Sequence, residues 1–314
     1  MNKIHIGALP PPLGGISVYL YRLKCLHNDD EFIDPRILTK WKLFSIVMFT
    51  DKEIIIHGKK WNILYVLWIL SMFFGRKHTV VFHGMGYLTD IKHAGKVNKY
   101  FMLKALDACK KIRVVNEDIK EKLLNIKPQY KDKVFVENAF LPPPLEDEQK
   151  IWCTYPEDVK IFITKQRPLV VANAFRLIDY NGTDLYGLDM CIELINRLKK
   201  QFNNVGLLFA LADEQYRSDY FHEMKTLIVK YGLQSNIKFL TNQHELWPII
   251  KHCDVMVRPT CTDGYPVSIA EALYFNHPVV TSDVVARDKR CIVFKNRDID
   301  DFTLKVESVL YGNL

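Results

Sequence analysis

Residues 254–283 read DVMVRPTCTDGYPVSIAEALYFNHPVVTSD, and this stretch decides the fold. An apolar run ends near Pro259, a turn of small residues follows, and a helical pattern begins at Val267 or Ser268. The helix is expected to stop at Asn276, before a second apolar run that ends in TSD. A strand, a turn, a helix and another strand in this order indicate a β-α-β unit, the building block of a parallel sheet.

The same alternation of strand and helix patterns runs along the chain, with one interruption. The segment AFLPPPLEDEQKIW has three prolines, an acidic cluster and no periodicity, so it is the expected linker. The length of 314 residues suits two domains of roughly 150 residues each. We therefore predict an α/β protein with two Rossmann-like domains facing a cleft: residues 1–140, a linker region at 141–166, and residues 167–314.

Composition narrows the classes of function and the cell compartment. The net charge of +7 suits a phosphate-bearing ligand or an anionic membrane, and the scattered lysines lack the aromatic interleaving of a nucleic-acid site. The seven cysteines show no C-x2-C spacing, so neither a zinc site nor a disulfide framework is indicated. Since no signal region precedes the first strand pattern, we expect a cytoplasmic protein.

The segment from Trp61 to Phe74 is almost entirely apolar and is flanked by Lys59, Lys60, Arg76 and Lys77. As a helix it would be about 21 Å long, too short for a bilayer core of roughly 30 Å. Two interpretations stay open. The helix either packs under a sheet, or lies in a membrane interface with its lysines on lipid phosphates.

Asp263 and Glu271 stand on either side of the predicted turn and helix start. The backbone N–H groups of Val267 and Ser268 have no partner within a helix that begins there, so they favour an anion such as phosphate. A carboxylate at the same place would repel phosphate unless it accepts hydrogen bonds from a neutral diol such as ribose. The alternative is a simple helix cap with a surface acid.

The stretch PTCTDGYPVSIAEALYFNHPVVTSD resembles the C-terminal signature of glycosyltransferase family 4, which comprises retaining enzymes of the GT-B fold. The resemblance implies that Glu271 binds the ribose hydroxyls of a nucleotide. It also implies a catalytic role for Asp263, which stands where the family has glutamate and faces the donor sugar. Gly264, Val267 and Ser268 would then bind the donor.

Other segments extend this resemblance. PPPLGGISVYLYRL resembles the family's glycine-rich loop, where Gly14 and Gly15 would approach a phosphate or an acceptor, and VVFHGMG makes His83 a candidate near the transferred sugar. VVANAFRLIDYNGTDLYGLDMCIELI places Arg176 on the family's diphosphate-binding arginine, with Tyr186 where the family has a lysine. The alternatives are a plain strand–helix turn, a structural histidine and a surface arginine.

The resemblance implies a retaining hexosyl- or N-acetylhexosaminyltransferase of bacterial surface polysaccharide synthesis, such as O-antigen or capsule. It would move a sugar from a nucleoside diphosphate, UDP more than GDP, to a hydroxyl of a lipid-linked glycan, without a cofactor or a metal ion. A peripheral contact with the cytoplasmic face of the inner membrane would accompany this role. We read the D-x-D spacing of Asp298 and Asp300 as a helix cap.

Two other functions stay open for the same fold. One is a nucleotide-sugar epimerase. The other is a catalytically inactive nucleotide-sugar-binding subunit, because Tyr186 does not compensate diphosphate charge as a lysine would.

Overall fold

The computed structural model describes residues 2–75 and 78–312. The chain divides into two compact units that meet between Leu141 and Pro142. Each unit is a parallel sheet covered by helices, so the prediction of two parallel α/β domains is confirmed. The basic residues Arg76 and Lys77, expected to flank the apolar helix, lie outside the described residues.

Unit 1 alternates strands and helices from its first residues. Its strands are β1 (Lys3–Ile6), β2 (Glu31–Ile33), β3 (Glu53–His57), β4 (His78–Phe82), β5 (Cys109–Val114) and β6 (Val134–Val136). Its α-helices are α1 (Gly15–Leu26), α2 (Lys40–Phe49), α3 (Trp61–Phe74), α4 (Gly86–His93), α5 (Lys96–Asp107) and α6 (Glu117–Ile126), and a 3-10 turn spans Pro128–Tyr130.

The strand order of unit 1 is β2-β1-β3-β4-β5-β6, and all of these pairs are parallel. Both faces of the sheet are covered at β3, where Ile54, Ile55 and Ile56 are at most 3% exposed. The order reverses between β1 and β3. In open α/β sheets such a reversal opens a crevice at the carboxyl ends of the strands, where ligands bind.

Unit 2 begins with short helices and then builds its own sheet. Its strands are β7 (Leu169–Arg176), β8 (Asp179–Tyr180), β9 (Thr183–Asp184), β10 (Gly206–Asp213), β11 (Ile237–Thr241), β12 (Val255–Arg258), β13 (Val279–Ser282) and β14 (Ile292–Phe294). Its α-helices are α7 (Glu148–Trp152), α8 (Glu157–Lys165), α9 (Leu188–Leu198), α10 (Ser218–Lys230), α11 (Trp247–Ile250), α12 (Val267–Tyr274) and α13 (Ile299–Leu310). A 3-10 turn spans Leu145–Asp147.

The main sheet of unit 2 has the order β11-β10-β7-β12-β13-β14, which reverses between β7 and β12. The pair β7–β10 stays in register up to Arg176 and Asp213, at the carboxyl ends of both strands. The pair β7–β12 is in register only at Val255 with Val170 and at Met256 with Val171. The two strands therefore separate toward their carboxyl ends, and the crevice of unit 2 opens between them.

The segment 141–166, expected to be a linker, is largely helical. In α8 the sequence EDVKIFITK places Val159, Phe162 and Ile163 on one side, and all three are buried in the core of unit 2. The division between units lies after Leu141, so these helices belong to unit 2. At this division Arg22 of α1 donates a hydrogen bond to the carbonyl of Leu141 at 3.0 Å, which ties the end of unit 1 to its first helix.

Helix α3 has the predicted bounds and combines features of both interpretations. Ile63, Leu64, Leu67 and Leu70 are buried, which is the spacing of one helical face packed on the core. Other apolar side chains of α3 are exposed: Ile69, Met72, Phe73 and Phe74. Gly75 caps the C-terminus of α3, and its φ of 61° is the left-handed conformation that glycine tolerates. None of the helices within residues 2–75 and 78–312 could span a membrane.

Several elements of the structure lie where the sequence-based prediction assigned neither a strand nor a helix. Strand β2 and helix α2 occupy residues between α1 and β3 for which no pattern was assigned. The strands β8 and β9 form an antiparallel hairpin whose turn is Asn181-Gly182, both with positive φ. Asn-Gly is a strong hairpin turn, but strands of two residues are too short to show a period in sequence.

Candidate functional site

The crevice of unit 2 is occupied by a buried ion network centred on Asp263. Its Oδ2 accepts hydrogen bonds from Arg258 Nε and Arg287 Nη1, each at 3.1 Å, and from Thr260 Oγ1 at 3.3 Å. Its Oδ1 accepts from Arg258 Nη2 and from the Gly264 N–H, each at 3.2 Å. Five donors thus surround one carboxylate, which fixes Asp263 against the arginines and uses its acceptor sites.

This network carries more positive than negative charge. The side chains of Arg258, Asp263 and Arg287 are only 9%, 7% and 4% exposed, so water screens them little. Burial alone would raise the pKa of the Asp263 carboxyl, but Arg258 and Arg287 outweigh burial and lower the pKa below its ordinary value. Two guanidinium groups therefore share one charged carboxylate at the carboxyl end of the sheet.

Arg258 bridges the point where β7 and β12 separate. Its Nη1 donates to the backbone carbonyl of Asn173 at 3.0 Å and to the side-chain oxygen of Asn173 at 3.2 Å. Its guanidinium also lies 5.2 Å from the ring centroid of Tyr186, within the range of a cation–π contact. The guanidinium of Arg258 thus places a positive charge beside Tyr186, the position where the resemblance to family 4 implies a lysine.

Gly187 is required at this crevice by its surroundings. Its φ is +70°, and a Cβ atom there would lie 2.5 Å from the carbonyl oxygen of Pro259, which no ordinary contact permits. The beginning of α9 therefore packs directly on the end of β12. Asp184 strengthens the same turn by accepting hydrogen bonds from the N–H groups of Tyr186 and Leu188 at 3.1 and 2.8 Å.

The N-terminus of α12 lies next to the network. The helix begins at Val267 after Pro266, and no side chain of the described residues caps it. The N–H groups of Val267 and Ser268 thus have no partner within the helix, whereas the N–H of Gly264 bonds to Asp263. Ser268 is buried. Backbone donors and guanidinium groups together make this end of the sheet a favourable place for an anion.

Glu271 and Arg176 lie in different environments. Glu271, in the second turn of α12, is 4% exposed in this structure. Arg176 ends β7 with a side chain that is 37% exposed. Its Nη2 is 3.4 Å from Asp213 Oδ2, and its guanidinium lies 4.8 Å from the ring of Tyr216. Arg176 therefore stands at the carboxyl end of the central strand, where it can reach a phosphate by leaving a partly exposed ion pair.

In unit 1 the predicted glycines form the start of α1. Gly14 is the N-cap residue, Gly15 is the first helical residue, and the N–H of Gly14 donates to Ser17 Oγ at 2.9 Å. A Cβ atom on Gly14 would meet only Ser17 Oγ, at 4.0 Å. The close approach is instead at Gly7, where a Cβ atom would lie 2.5 Å from Leu20 Cδ1 and 2.9 Å from His57 Cβ. Sequence reasoning overlooked Gly7.

His83 follows β4 directly and lines a small pocket. The other residues that line this pocket are Tyr19, Val81, Arg113, Glu137 and Ala139. His83 Nε2 is 3.1 Å from His57 Nδ1, and His57 Nε2 is 2.9 Å from His5 Nδ1. We call His5, His57 and His83 the histidine chain. It lies at the crevice of unit 1, since His5 is in β1 and His57 ends β3.

Sequence reasoning missed Arg258, Arg287, His5 and His57. The histidines carried a readable signal, because KIHI, EIIIH and VVFH each place a histidine at or near the end of an apolar strand pattern. Parallel strands end at one edge of a sheet, so these histidines were candidates for one cluster. Arg258 also ends an apolar run. Arg287 lies in a loop without periodicity, and only the three-dimensional structure connects it to Asp263.

The D-x-D spacing near the last helix is a cap, as predicted. Asp298 is the N-cap residue of α13, and its Oδ1 accepts a hydrogen bond from the N–H of Asp301 at 3.1 Å. Asp300 pairs with Arg197 at 2.5 Å. Within the described part of the chain, no group of three or more histidines, cysteines and acids is arranged to hold a metal ion.

Residues 181–313 match the family model "Glycosyl transferases group 1". An uncharacterized glycosyltransferase of Methanocaldococcus jannaschii is 26% identical over 122 residues, which are 38% of this chain and 29% of that protein. The match thus spans less than a third of the relative's length.

Solved structures resemble the chain over almost its whole length. Anabaena HepE in complex with UDP has a TM-score of 0.70 and 14% identity, and the similarity covers 99% of this chain and 90% of HepE. A glycosyltransferase from Rickettsia africae has a TM-score of 0.70 and 14% identity, over 99% and 88% of the two chains. Sucrose-phosphate synthase from Thermosynechococcus elongatus has a TM-score of 0.66 and 14% identity, over 100% and 90%. The chain therefore has the GT-B fold, and residues 181–313 of its second unit are similar to the group 1 glycosyltransferases.

Proposed function

We propose that the protein is a retaining glycosyltransferase that moves a sugar from a UDP-sugar to a hydroxyl group of a glycan acceptor. The observation that carries this proposal is the excess of positive charge in the crevice of unit 2, where Arg258 and Arg287 share one carboxylate beside the uncapped start of α12. Stabilising the leaving diphosphate is the main electrostatic task in such a transfer. The UDP complex of HepE supports a UDP donor over GDP.

Four of the predicted donor residues have a defined task in this proposal. The N–H groups of Val267 and Ser268 bind diphosphate oxygens, and Arg176 adds a bidentate contact when it leaves Asp213. Glu271 accepts hydrogen bonds from the ribose hydroxyls. Asp263 holds Arg258 and Arg287 in place, and its predicted catalytic role toward the donor sugar requires that some of its five hydrogen bonds open when the donor binds.

Calorimetric titration of UDP, GDP, CMP and dTDP is the first test. We expect UDP to bind the wild type most tightly and to bind Glu271→Gln about tenfold to a hundredfold more weakly, since a hydrogen bond to a charged group contributes about 1.5–3 kcal/mol. Glu223→Gln, a change at an exposed site on α10, is the matched control and should bind UDP as the wild type does. Absence of nucleotide binding to the wild type would refute the proposal.

Turnover separates the transferase from its two rivals. UDP-glucose and UDP-N-acetylglucosamine are incubated with the protein, with and without membrane lipid extract, and products are identified by mass spectrometry and NMR. Transfer with retained anomeric configuration supports the proposal. An isomerised UDP-sugar without acceptor indicates an epimerase, and UDP binding without any product indicates an inactive binding subunit.

We also propose that the acceptor is lipid-linked, as in bacterial surface polysaccharide synthesis, and that unit 1 contacts the membrane. This rests on exposed apolar side chains on two adjacent helices, where Trp68 of α3 and Phe101 of α5 have ring centroids 6.0 Å apart. The exposed apolar residues of these helices form what we call the α3–α5 face: Ile69, Met72, Phe73, Phe74, Val97, Tyr100 and Phe101. Lys96 and Lys99 are exposed beside it and suit anionic lipid head groups.

Co-sedimentation with lipid vesicles tests this contact. The wild type should bind vesicles that contain anionic lipid and should bind less at high salt, because each lysine contributes about 1 kcal/mol through the surface potential. Replacement of Phe73 and Phe74 by serine should weaken binding by tenfold or more, since burying one phenylalanine contributes about 1.5–3 kcal/mol. Leu304→Ser, which alters an exposed apolar side chain of unit 2, is the matched control. An equal loss in the control would contradict the proposal.

A further inference from the structure

The histidine chain ends on the carboxylate of Asp30, the residue directly before β2. His5 Nε2 is 3.4 Å from Asp30 Oδ2, and Asp30 Oδ1 accepts a hydrogen bond from the Lys3 N–H at 2.8 Å. Four side chains thus form one line: Asp30, His5, His57 and His83. Each histidine in the middle of the line uses both ring nitrogens, one toward each neighbour.

Aromatic neighbours hold the rings in this line. Phe32 stacks on His5 with centroids 4.8 Å apart and an interplanar angle of 9°. Tyr19 packs against His57 and His83, with centroids 5.8 and 5.3 Å away. Because the ring nitrogens face one another in pairs instead of converging on a point, the arrangement is a hydrogen-bond chain and not a metal site.

The rings are neutral at neutral pH, so each carries one proton. Burial lowers the pKa of His5 and of His83 to about 4 and lowers that of His57 well below its ordinary value. Burial would raise the pKa of Asp30, but hydrogen bonds from the Lys3 N–H and from His5 outweigh it and lower the pKa below its ordinary value. The line therefore consists of one charged acceptor followed by three neutral imidazoles.

The charge on Asp30 determines the direction of every hydrogen bond in this line. A carboxylate can only accept, so the proton of His5 must be on Nε2, and Nδ1 of His5 becomes an acceptor. His57 must then donate from Nε2 to His5 and accept at Nδ1. His83 in turn donates from Nε2 to His57, and its Nδ1, on the opposite side of the ring, carries a lone pair.

We propose that Asp30, His5 and His57 are positioning residues that keep His83 in the tautomer whose Nδ1 accepts a hydrogen bond from a hydroxyl group of the acceptor sugar. The pocket beside His83 also offers Tyr19, Arg113 and Glu137 to such a sugar. This inference rests on the proposed transferase function for the identity of the ligand. The tautomers themselves follow from the geometry of unit 1 and do not depend on it.

Asp30→Asn is the decisive variant. The asparagine can keep its oxygen on the Lys3 N–H and place its NH2 group where Oδ2 faced His5, so a donor replaces an acceptor with almost no change of shape. His5 Nε2 must then accept, and every hydrogen bond in the line reverses, which leaves the His83 proton on Nδ1. Asp29→Asn changes an exposed neighbour and is the matched control.

Long-range 1H–15N correlation spectra of the full chain distinguish protonated from unprotonated ring nitrogens. In the wild type and in Asp29→Asn we expect His5, His57 and His83 to be protonated on Nε2 only. In Asp30→Asn we expect the His83 proton on Nδ1. An Nδ1 proton on any of the three rings in the wild type, or unchanged His83 signals in a folded Asp30→Asn protein, would overturn the proposal. The wild-type spectrum decides the matter even if the variant does not fold.

The ligand is tested with methyl glycosides of glucose and N-acetylglucosamine as hydroxyl-bearing probes. We expect one of them to shift the His83 Nδ1 signal of the wild type and to bind Asp30→Asn about tenfold more weakly, the effect of one hydrogen bond. UDP affinity, measured separately, should be equal in both proteins. If the wild type does not bind UDP, the proposed transferase function is refuted, whereas the proposed tautomers are not affected. Absence of a glycoside shift beside intact UDP binding would refute the acceptor role of His83.

Discussion

The two units place opposite chemistry at equivalent points of similar sheets. In unit 1 the crevice between β1 and β3 holds neutral rings in a hydrogen-bond chain with one carboxylate at its end. In unit 2 the crevice between β7 and β12 holds two buried arginines around one carboxylate. A neutral chain orients hydroxyl groups, whereas an excess of buried positive charge attracts a diphosphate. The sheet supplies the position, and the side chains at the strand ends decide which ligand it suits.

Removal of Asp263 should have the largest effect on stability. Asp263→Ala leaves Arg258 and Arg287 buried without their carboxylate, and breaking a buried ion pair in this way costs about 3–5 kcal/mol. Asp288→Ala removes an exposed pair with Arg290 and should cost much less, because water screens this pair. Urea unfolding of both variants measures the difference. Equal, small losses would mean that the network of unit 2 is not the rigid element described above.

The glycines at the two crevices should respond differently to an added methyl group. Gly187→Ala combines a positive φ with a contact of 2.5 Å, so we expect a loss of about 2–4 kcal/mol. Gly7→Ala has an ordinary φ and only the steric contact with Leu20 and His57, so we expect about 1–3 kcal/mol.

Two other glycines serve as controls for these substitutions, again by urea unfolding. Gly182→Ala keeps the positive φ without a neighbour within 4 Å, and Gly14→Ala has neither penalty. A Gly187→Ala protein no less stable than Gly182→Ala would disprove the tight packing of α9 on the end of β12.

Acid should destabilise unit 1 before unit 2. The folded pKa of His5, about 4, is lower than the unfolded value near 6.5, so the unfolded state binds more protons between these values and stability falls as the pH falls through this window. At pH 5 this amounts to about 2 kcal/mol for one such histidine. Lys3 and Arg113 disfavour the charged ring further, and Asp30 opposes them.

The Asp263 carboxyl in unit 2 behaves differently. Its folded pKa is lower than the unfolded value, so the stability it contributes is present above the unfolded value and is lost only below about pH 4. Denaturant-dependent hydrogen exchange, read by mass spectrometry at pH 7.5 and pH 5, separates peptides of the two units. A parallel loss in both units would contradict the difference described here.

The smallest expected effect is at the cap of the last helix. Asp298→Ala removes the hydrogen bond to the Asp301 N–H and should cost about 1 kcal/mol, while Asp300→Ala removes only a surface ion pair and should cost less. Thermal unfolding compares them. A larger effect in Asp300→Ala would mean that the D-x-D spacing has a role other than capping.

Helix bounds that depend on short-range sequence patterns could be predicted from the sequence. The bounds of α3 follow from a continuous apolar run that stops at Gly75, and the start of α12 follows from the turn before Val267. The exposed apolar residues of α3 were not separable from its buried ones, because nearly every position of the helix is apolar and no polar face marks the outside.

The environment of the site residues could not be predicted in the same way. The position of Asp263 beside the helix could be predicted, but its hydrogen bond from Arg287 depends on a loop 24 residues further along the chain. Similarly, His83 was readable as a strand-end histidine, while its partner His57 is 26 residues away on another strand. Such contacts arise from the order of strands in the sheet, which a single sequence does not display.

The hydrogen bond from Arg22 to the carbonyl of Leu141 has a practical consequence for protein engineering. It fastens the last residue of unit 1 to α1, and the contacts described for the histidine chain and for the arginine network each come from within one unit. A chimera that joins residues up to Leu141 to the second unit of another protein of this fold keeps the native partner of Arg22, whereas an earlier junction exchanges the segment that presents this carbonyl. Leu141 is therefore the junction from which hybrid proteins with an exchanged second unit are best built.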